Sequence, residues 1–429
     1  MELSRTGLEM ARLSGLRGIM EDIALATGAA PGRAWRNLGV GNPAAIPEVC
    51  GWWQRLATEA LTGSFADTSC RYGPSRGLPR LVDAIVGYFN RRYGWTIGPR
   101  NVVVGPGSQM LCFMAAAMFT GPGAARDTEL VLPMTPDYTG YQGLSMTAGG
   151  VRGVEPILRT EGERTFGYRI DLTAVSEQAN AGMFLISTPS NPAGRRATPE
   201  ELDGLLDIAE ARDVPLMLDL AYGHPFPGIA EAPTAPIWHE RVINSFSLSK
   251  TGLPGERLGF VIADERYVTP LVSFLANSAL HAPQLAQATL ARALEGDAID
   301  AVVASVITPF YAERRKYMEE LLVQALPCEV SWRLHRSEGG MFVWLWVDED
   351  WFDDLELCRL LKERGVFVVP GRHFFTEPER GARLGRHPRQ CVRISMTPDP
   401  ADLTAGVERI AAALADMRDR AAGTTGNDN

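Results

Sequence analysis

Lysine is nearly missing from this chain: of 42 basic residues only Lys250, Lys316 and Lys362 are lysine, and the rest are arginine. A protein that uses arginine for its surface charge needs a chemical reason to keep a lysine in an apolar, turn-rich stretch. Cysteine is sparse too. Cys50, Cys70, Cys112, Cys328, Cys358 and Cys391 stand singly, without Cys-x-x-Cys pairs or histidine clusters, which excludes a zinc site and a disulfide framework, and no metal is expected. No apolar run approaches the ~20 residues of a membrane span, and Met1-Glu2-Leu3-Ser4 opens no charged-then-apolar secretory signal. The protein is therefore expected to stay in the cytoplasm and off membranes. A lysine-arginine stripe with interleaved aromatics is also lacking, and the net charge of −9 with a pI near 5.4 argues against nucleic acid as a partner. Arg91-Arg92 and Arg314-Arg315-Lys316 read as solvated helix faces.

What is present is an enzyme-sized globular chain. Its 429 residues, 45% of them hydrophobic, can bury a large core in two or three structural units. From about residue 100 to 265 short β-branched runs alternate with helical stretches. Asn101-Val102-Val103-Val104, Leu130-Val131-Leu132, Met183-Phe184-Leu185-Ile186, Leu216-Met217-Leu218 and Val242-Ile243-Asn244 read as buried strands. Thr198-Pro199-Glu200-Glu201 is a capping box that opens a helix to about Arg212. This alternation implies an α/β fold with a mainly parallel sheet covered on both faces, whose ligand sites collect at the carboxyl ends of strands. A helical pattern from about Asp297 to Leu326 leads into a smaller α+β unit, with strands at Met341–Trp346, Val366–Val369 and Cys391–Ile394. The expected division is 1–40 as a segment packing on the small unit or over the site, 41–305 as the large domain, 306–420 as the small domain and 421–429 as a frayed tail. Gly121-Pro122-Gly123-Ala124-Ala125 reads as an exposed loop.

The chemistry centres on Ser247-Leu248-Ser249-Lys250, followed by a glycine-punctuated turn ending in Arg257-Leu258-Gly259. A lysine so placed can form a Schiff base with the aldehyde of pyridoxal phosphate (PLP). Asp219 ends an apolar strand, where a carboxylate needs a partner; the pyridine nitrogen of that cofactor is one, and a helix cap is another. Tyr222 and Asn191 could bond the cofactor's phenolate oxygen, although Asn191-Pro192 is also a common turn. Gly107-Ser108-Gln109 lies where a strand gives way to a helix, so backbone N–H groups and the Ser108 hydroxyl would face an anion, with Ser247 and Arg257 beside them. The full Gly-x-Gly-x-x-Gly of a dinucleotide site is missing. Tyr138 could stack on a ring or fill the core.

The order Tyr72...Gly77, Ser108, Pro136-Asp137-Tyr138, Asn191-Pro192-x-Gly194, Asp219-x-x-Tyr222, Ser247-x-Ser249-Lys250 and Arg393 resembles the fold-type-I class I/II aminotransferases over nearly the whole chain. Within them it is most similar to the valine–pyruvate aminotransferase group, through Arg12-Leu13-Ser14-Gly15, Met20-Glu21-Asp22, Gly41-Asn42-Pro43, the run from Ala221 to Gly228 and Ser249-Lys250-Thr251-Gly252-Leu253-Pro254-Gly255. The resemblance implies PLP as cofactor, with Lys250 as Schiff-base lysine and proton carrier, Asp219 as pyridinium partner, and Asn191 and Tyr222 on the phenolate oxygen. Tyr138 would stack on the ring. Ser108, Gln109, Ser247 and Arg257 would surround the phosphate, joined by Tyr72 from the second subunit of a homodimer. Arg393 would clamp the substrate α-carboxylate, with the Gly41 N–H beside it. The implied reaction moves an amino group between an α-amino acid, valine-like, and a 2-oxo acid such as pyruvate.

Two rivals stand beside this reading. His224 and His281 stand where the resemblance implies aliphatic residues, and an imidazole near the cofactor could serve a polar substrate or a β-eliminating or decarboxylating outcome; His224 is accordingly a candidate substrate contact. A non-catalytic, ligand-sensing module on the same scaffold is the other. The retained Lys250, Asp219 and Arg393 argue for catalysis.

Overall fold

The computed structural model describes residues 2–12, 15–30, 32–123, 126–232, 234–376 and 383–425. Leu13 and Ser14 of the N-terminal motif, Ala124 and Ala125 of the expected loop, and residues 426–429 of the expected tail lie outside them.

Seven strands form the larger sheet, in the order Val102–Gly105, Gly259–Ile262, Val242–Ser247, Leu216–Asp219, Ala181–Ser187, Glu129–Leu132, Val151–Gly153. Only Gly259–Ile262 runs antiparallel to its neighbours. The central strands are buried along their whole length, which explains why they read as unbroken apolar runs rather than as alternating ones. Their two faces serve different helices. Met183, Leu185, Met217, Ile243 and Val261 pack with helices Ser108–Phe119 and Glu265–Ser278, whereas Phe184, Ile186, Leu216, Leu218, Phe246 and Phe260 pack with the core of Leu81, Ile85, Phe89, Leu205 and Leu290. Alternation then places Asp219, two residues after Met217, on the Ser108–Phe119 face.

The second sheet has six strands, Val369–Pro370, Cys391–Ser395, Phe342–Val347, Trp332–His335, Thr165–Arg169 and Ile157–Glu161, antiparallel except where Trp332–His335 meets Thr165–Arg169. The hairpin 157–169 lies within the segment expected for the large domain and hydrogen-bonds into the second sheet, a long-range pairing that local patterning does not encode. The single strand expected at Val366–Val369 is two. Val366–Phe367 pairs with Arg36–Asn37, and Val369–Pro370 pairs with the Arg393 strand. Leu38 joins the core formed by Leu322, Val343, Leu345, Ile394, Leu403 and Ile410.

Helices Ala298–Val302 and Thr308–Ala325 flank a π turn at Val303–Ile307. Pro309 lacks an N–H and its ring crowds the carbonyl four residues earlier, so the ladder widens by one residue ahead of it. Thr198 and Glu201 form the reciprocal capping box of helix Pro199–Arg212. The last helix, Pro400–Thr425, continues five residues into the segment read as a tail; its alanine-rich run 411–422 favours helix more than its polar composition suggests.

Candidate active site

Ser187, Asp219 and Ser245 stand side by side on adjacent parallel strands, and Ser247 follows at the end of its strand. Asp219 is 6% exposed. Its Oδ2 accepts the Tyr141 hydroxyl at 2.7 Å and lies 3.9 Å from Cys112 Sγ, and its Oδ1 accepts the Ala221 N–H at 3.0 Å. Burial pushes the carboxyl up, while these donors and the Lys250 charge pull it down. Asp137, 1% exposed, accepts the Ser187 hydroxyl and the N–H groups of Ser187 and Tyr138, and burial pushes it up to about 7. It thereby ties the turn carrying Tyr138 and Tyr141 to the sheet. The Tyr138 ring meets Tyr141 edge-on at 5.2 Å.

Lys250 lies in the 3-10 turn Ser249–Thr251, half-buried, its Nζ 2.6 Å from the Gly41 carbonyl and 5.7 Å from the centre of the Tyr222 ring. Burial, then the positive charges of Arg393 and Arg257, lower it from 10.5 to about 8, against the pull of Asp219. Burial pushes the neighbouring Tyr222 phenol up.

Arg393 is 3% exposed in the middle of its strand, opposite Trp344. Its Nη1 donates to Asn191 Oδ1 at 3.0 Å and its Nη2 to the Gly39 carbonyl at 2.8 Å, and its guanidinium lies 4.0 Å from the Phe342 ring centre and 5.2 Å from that of Phe374. Among the described residues its buried Nε has no partner. Burial brings the group down to about 10. An arginine so desolvated, with no carboxylate against it among the described residues, can receive one.

Ser108 begins helix Ser108–Phe119, preceded by Gly107 at φ +88. A Cβ on Gly107 would stand 2.7 Å from Arg257 Nη2, so the guanidinium and the helix N-terminus share one concavity. Arg257, at φ +48, also donates to Ser249 Oγ at 3.2 Å. Ser247 Oγ accepts the Ser249 N–H at 3.2 Å, and Gln109 reaches away to the Gly140 carbonyl at 3.1 Å.

The structure thus draws together Lys250, Asp219, Tyr222, Asn191 and Arg393, and a second group of Ser108, Ser247 and Arg257. Tyr72, Gly41, His224 and Gln109 stand outside these two groups. Tyr72 is 86% exposed on its own subunit, with its ring 6.0 Å from that of His281. Gly41 meets Lys250 through its carbonyl, and a main-chain contact to Arg393 comes from Gly39. His224 sits beside Gly228, feels the charges of Arg92 and Arg196, and is lowered by burial to about 4. Tyr141, Cys112, Gly39 and Phe342 were not singled out from sequence. Signals for two existed: Tyr141 is one helical turn from Tyr138, and Cys112 one turn from Ser108.

These residues fit PLP: a buried acid for a ring nitrogen, a lysine amine, an anion-binding concavity and an arginine with an open N–H. Among the described residues no cluster of His, Cys, Asp or Glu is placed to hold a metal ion, and no helix is long and apolar enough to cross a membrane.

Comparison with known proteins agrees with this chemistry. The family model of class I and II aminotransferases matches residues 37–410. The valine–pyruvate aminotransferase of Escherichia coli (strain K12) is 32% identical over 415 residues, spanning 96% of this chain and 97% of its own. Among solved structures, a protein of Psychrobacter arcticum 273-4 provisionally assigned as an amino-acid aminotransferase superposes with a TM-score of 0.92 at 29% identity, covering 98% of this chain and 99% of its own. The valine–pyruvate aminotransferase of Salmonella typhimurium LT2 does so with a TM-score of 0.82 at 30% identity, over 94% and 99%. The chain belongs to the class I and II aminotransferases, enzymes of the fold-type-I architecture that work with PLP.

Proposed function

We propose that this aminotransferase moves an amino group from a neutral, valine-like α-amino acid to a 2-oxo acid such as pyruvate, through the residues gathered around Lys250. One observation carries the reading: the buried Asp219 carboxylate, the Lys250 amine on the Gly41 carbonyl, Arg257 beside Gly107 and the buried Arg393 on Asn191 and Gly39 offer one group for each part of a PLP-bound amino acid. The names of the E. coli and Salmonella relatives support the substrate pair.

PLP, when bound, supplies an electron sink for the pair left behind as the substrate Cα loses its proton. The protein does the rest. Asp219 would offer a buried acceptor to the ring nitrogen. Asn191 and Tyr222 would serve the phenolate oxygen, and Tyr138 the ring face. Ser108, Ser247, Arg257 and the N-terminus of helix Ser108–Phe119 would hold the phosphate. Arg393 would bind the substrate carboxylate and so orient the bonds at Cα. The Lys250 amine, easily neutral at its lowered proton affinity, takes the Cα proton and returns it elsewhere. Its bond to the Gly41 carbonyl holds it at the mouth of the site.

The working unit is proposed to be a cytoplasmic homodimer, in which the Tyr72 of one subunit completes the phosphate site of the other. Its exposure is what a residue destined for a partner shows. The β-eliminating or decarboxylating alternative draws no support from His224, which feels the charges of Arg92 and Arg196; His281 lies beside Tyr72. The test is a matrix of amino donors and 2-oxo acid acceptors with mass-spectrometric product identification. Valine with pyruvate should give 2-oxoisovalerate and alanine; a PLP-loaded enzyme that ignores both would overturn the substrate assignment and leave the cofactor assignment standing.

A further inference from the structure

The surroundings of Asp219 carry a second layer of design. An ionised carboxylate has about four lone-pair sites. Tyr141 and Cys112 occupy Oδ2 and the Ala221 N–H occupies Oδ1, which leaves one site open, on Oδ1. The two side-chain donors come from separate elements, the turn Thr139–Gly143 and the helix Ser108–Phe119, and both are buried, Tyr141 at 1% and Cys112 at 0% exposure. Resting on the reading of Asp219 as the partner of the cofactor's ring nitrogen, we propose that Tyr141, assisted by Cys112, is a positioning residue that fixes Asp219 as an ionised acceptor with a single open lone pair.

Several titratable groups face Asp219. Lys250 is the cation among them and Asp137 a second acid; Tyr138, Tyr222, Tyr141 and Cys112 complete the set. With Asp137 so near, the carboxylate needs donors that never lose their protons. Burial, reinforced by the charge of Asp219 itself, pushes both the Tyr141 phenol and the Cys112 thiol well up, so each remains a donor. Without the Tyr141 hydroxyl, Oδ2 keeps only a weak thiol contact, and Asp219 becomes easier to protonate and freer to turn away from the ring.

Tyr141→Phe removes one oxygen and preserves the packing. PLP binding to the apoenzyme is measured by fluorescence for wild type, Tyr141→Phe, Tyr141→His and Asp219→Asn, together with kcat and KM for the best amino donor. Tyr141→Phe should weaken PLP at least about tenfold, as expected for loss of a hydrogen bond to a charged group, and lower kcat while leaving the donor KM within about twofold. Tyr141→His, which restores a donor, should recover part of both losses. PLP affinity and kcat at wild-type levels in Tyr141→Phe, with Asp219→Asn impaired, would overturn the proposal alone; so would equal losses in the Phe and His variants, which mark a packing role. Wild-type PLP affinity in Asp219→Asn would instead overturn the underlying cofactor reading, and this inference with it. Should Tyr141→Phe not fold, Cys112→Ala decides: PLP affinity between those of wild type and Asp219→Asn supports the proposal, and unchanged affinity contradicts it.

Discussion

At the scale of single residues, the site works by desolvating charges and giving each only part of what it needs. Lys250 is the clearest case. Its amine is lowered to about 8 chiefly by burial, so the neutral, nucleophilic form appears roughly two pH units earlier than for an exposed lysine at about 10.4. The rate at which apoenzyme recaptures PLP, followed by absorbance, should therefore rise with a midpoint near pH 8 and level off about one pH unit above it; a limb still rising past pH 9.5 would mean that the amine is not held as described. Arg393 gives a second prediction. Arg393→Ala should cut kcat/KM for amino acids by roughly a hundredfold or more, about 3 kcal/mol, because the charge-assisted contact and the orientation at Cα go together; a loss under tenfold in steady-state assays would move the carboxylate site elsewhere. These residues were legible in the sequence because their chemistry lies in their type, their spacing and their scarcity. Tyr141, Cys112, Gly39 and Phe342 were not. Each matters through one contact with a residue far along the chain, such as Tyr141 with Asp219 or Gly39 with Arg393, and neither composition nor periodicity records such contacts.

At the scale of elements, the parallel strands were readable wherever burial on both faces made them continuous apolar runs. The structure differs from the reading where pairing is distant. Hairpin 157–169 joins the second sheet, and 366–370 divides between two partners; the first outcome depends on a strand more than 150 residues away, and the pairing of Val366–Phe367 on one more than 300 away. The turn into helix Ser108–Phe119 shows the opposite situation, since a Gly-Pro-Gly sequence announced it directly. Gly107 has a backbone that side chains rarely adopt, φ +88, and no room for a Cβ beside Arg257. Gly107→Ala should displace the Arg257 guanidinium, destabilise the fold by about 1–2 kcal/mol, and weaken PLP and free phosphate together. Calorimetry and phosphate competition would check this. A variant with wild-type phosphate affinity would show that the concavity is not the anion site.

At the scale of the whole molecule, the two sheets meet through the chain's own crossings, with residues 38 and 46 in different cores and Arg393 of the second sheet held by Asn191 from the loop that follows strand Ala181–Ser187 of the first. The proposed dimer extends this logic to a second copy. Mixing Tyr72→Phe subunits with Lys250→Ala subunits should restore activity, because one of the two sites in each heterodimer then has both residues intact; no recovery after proven subunit exchange, or a fully active monomer, would contradict the shared site. The central claim is that these residues perform amino transfer, and one measurement reaches it most directly. PLP-loaded enzyme is mixed with valine and no acceptor, and both the product and the cofactor are identified by mass spectrometry after a single turnover. The account predicts 2-oxoisovalerate and the aminated cofactor in equal amounts, with the aldehyde form of the cofactor restored and alanine formed on adding pyruvate. An alkene, carbon dioxide or free ammonia, with the cofactor still in its aldehyde form, would contradict it.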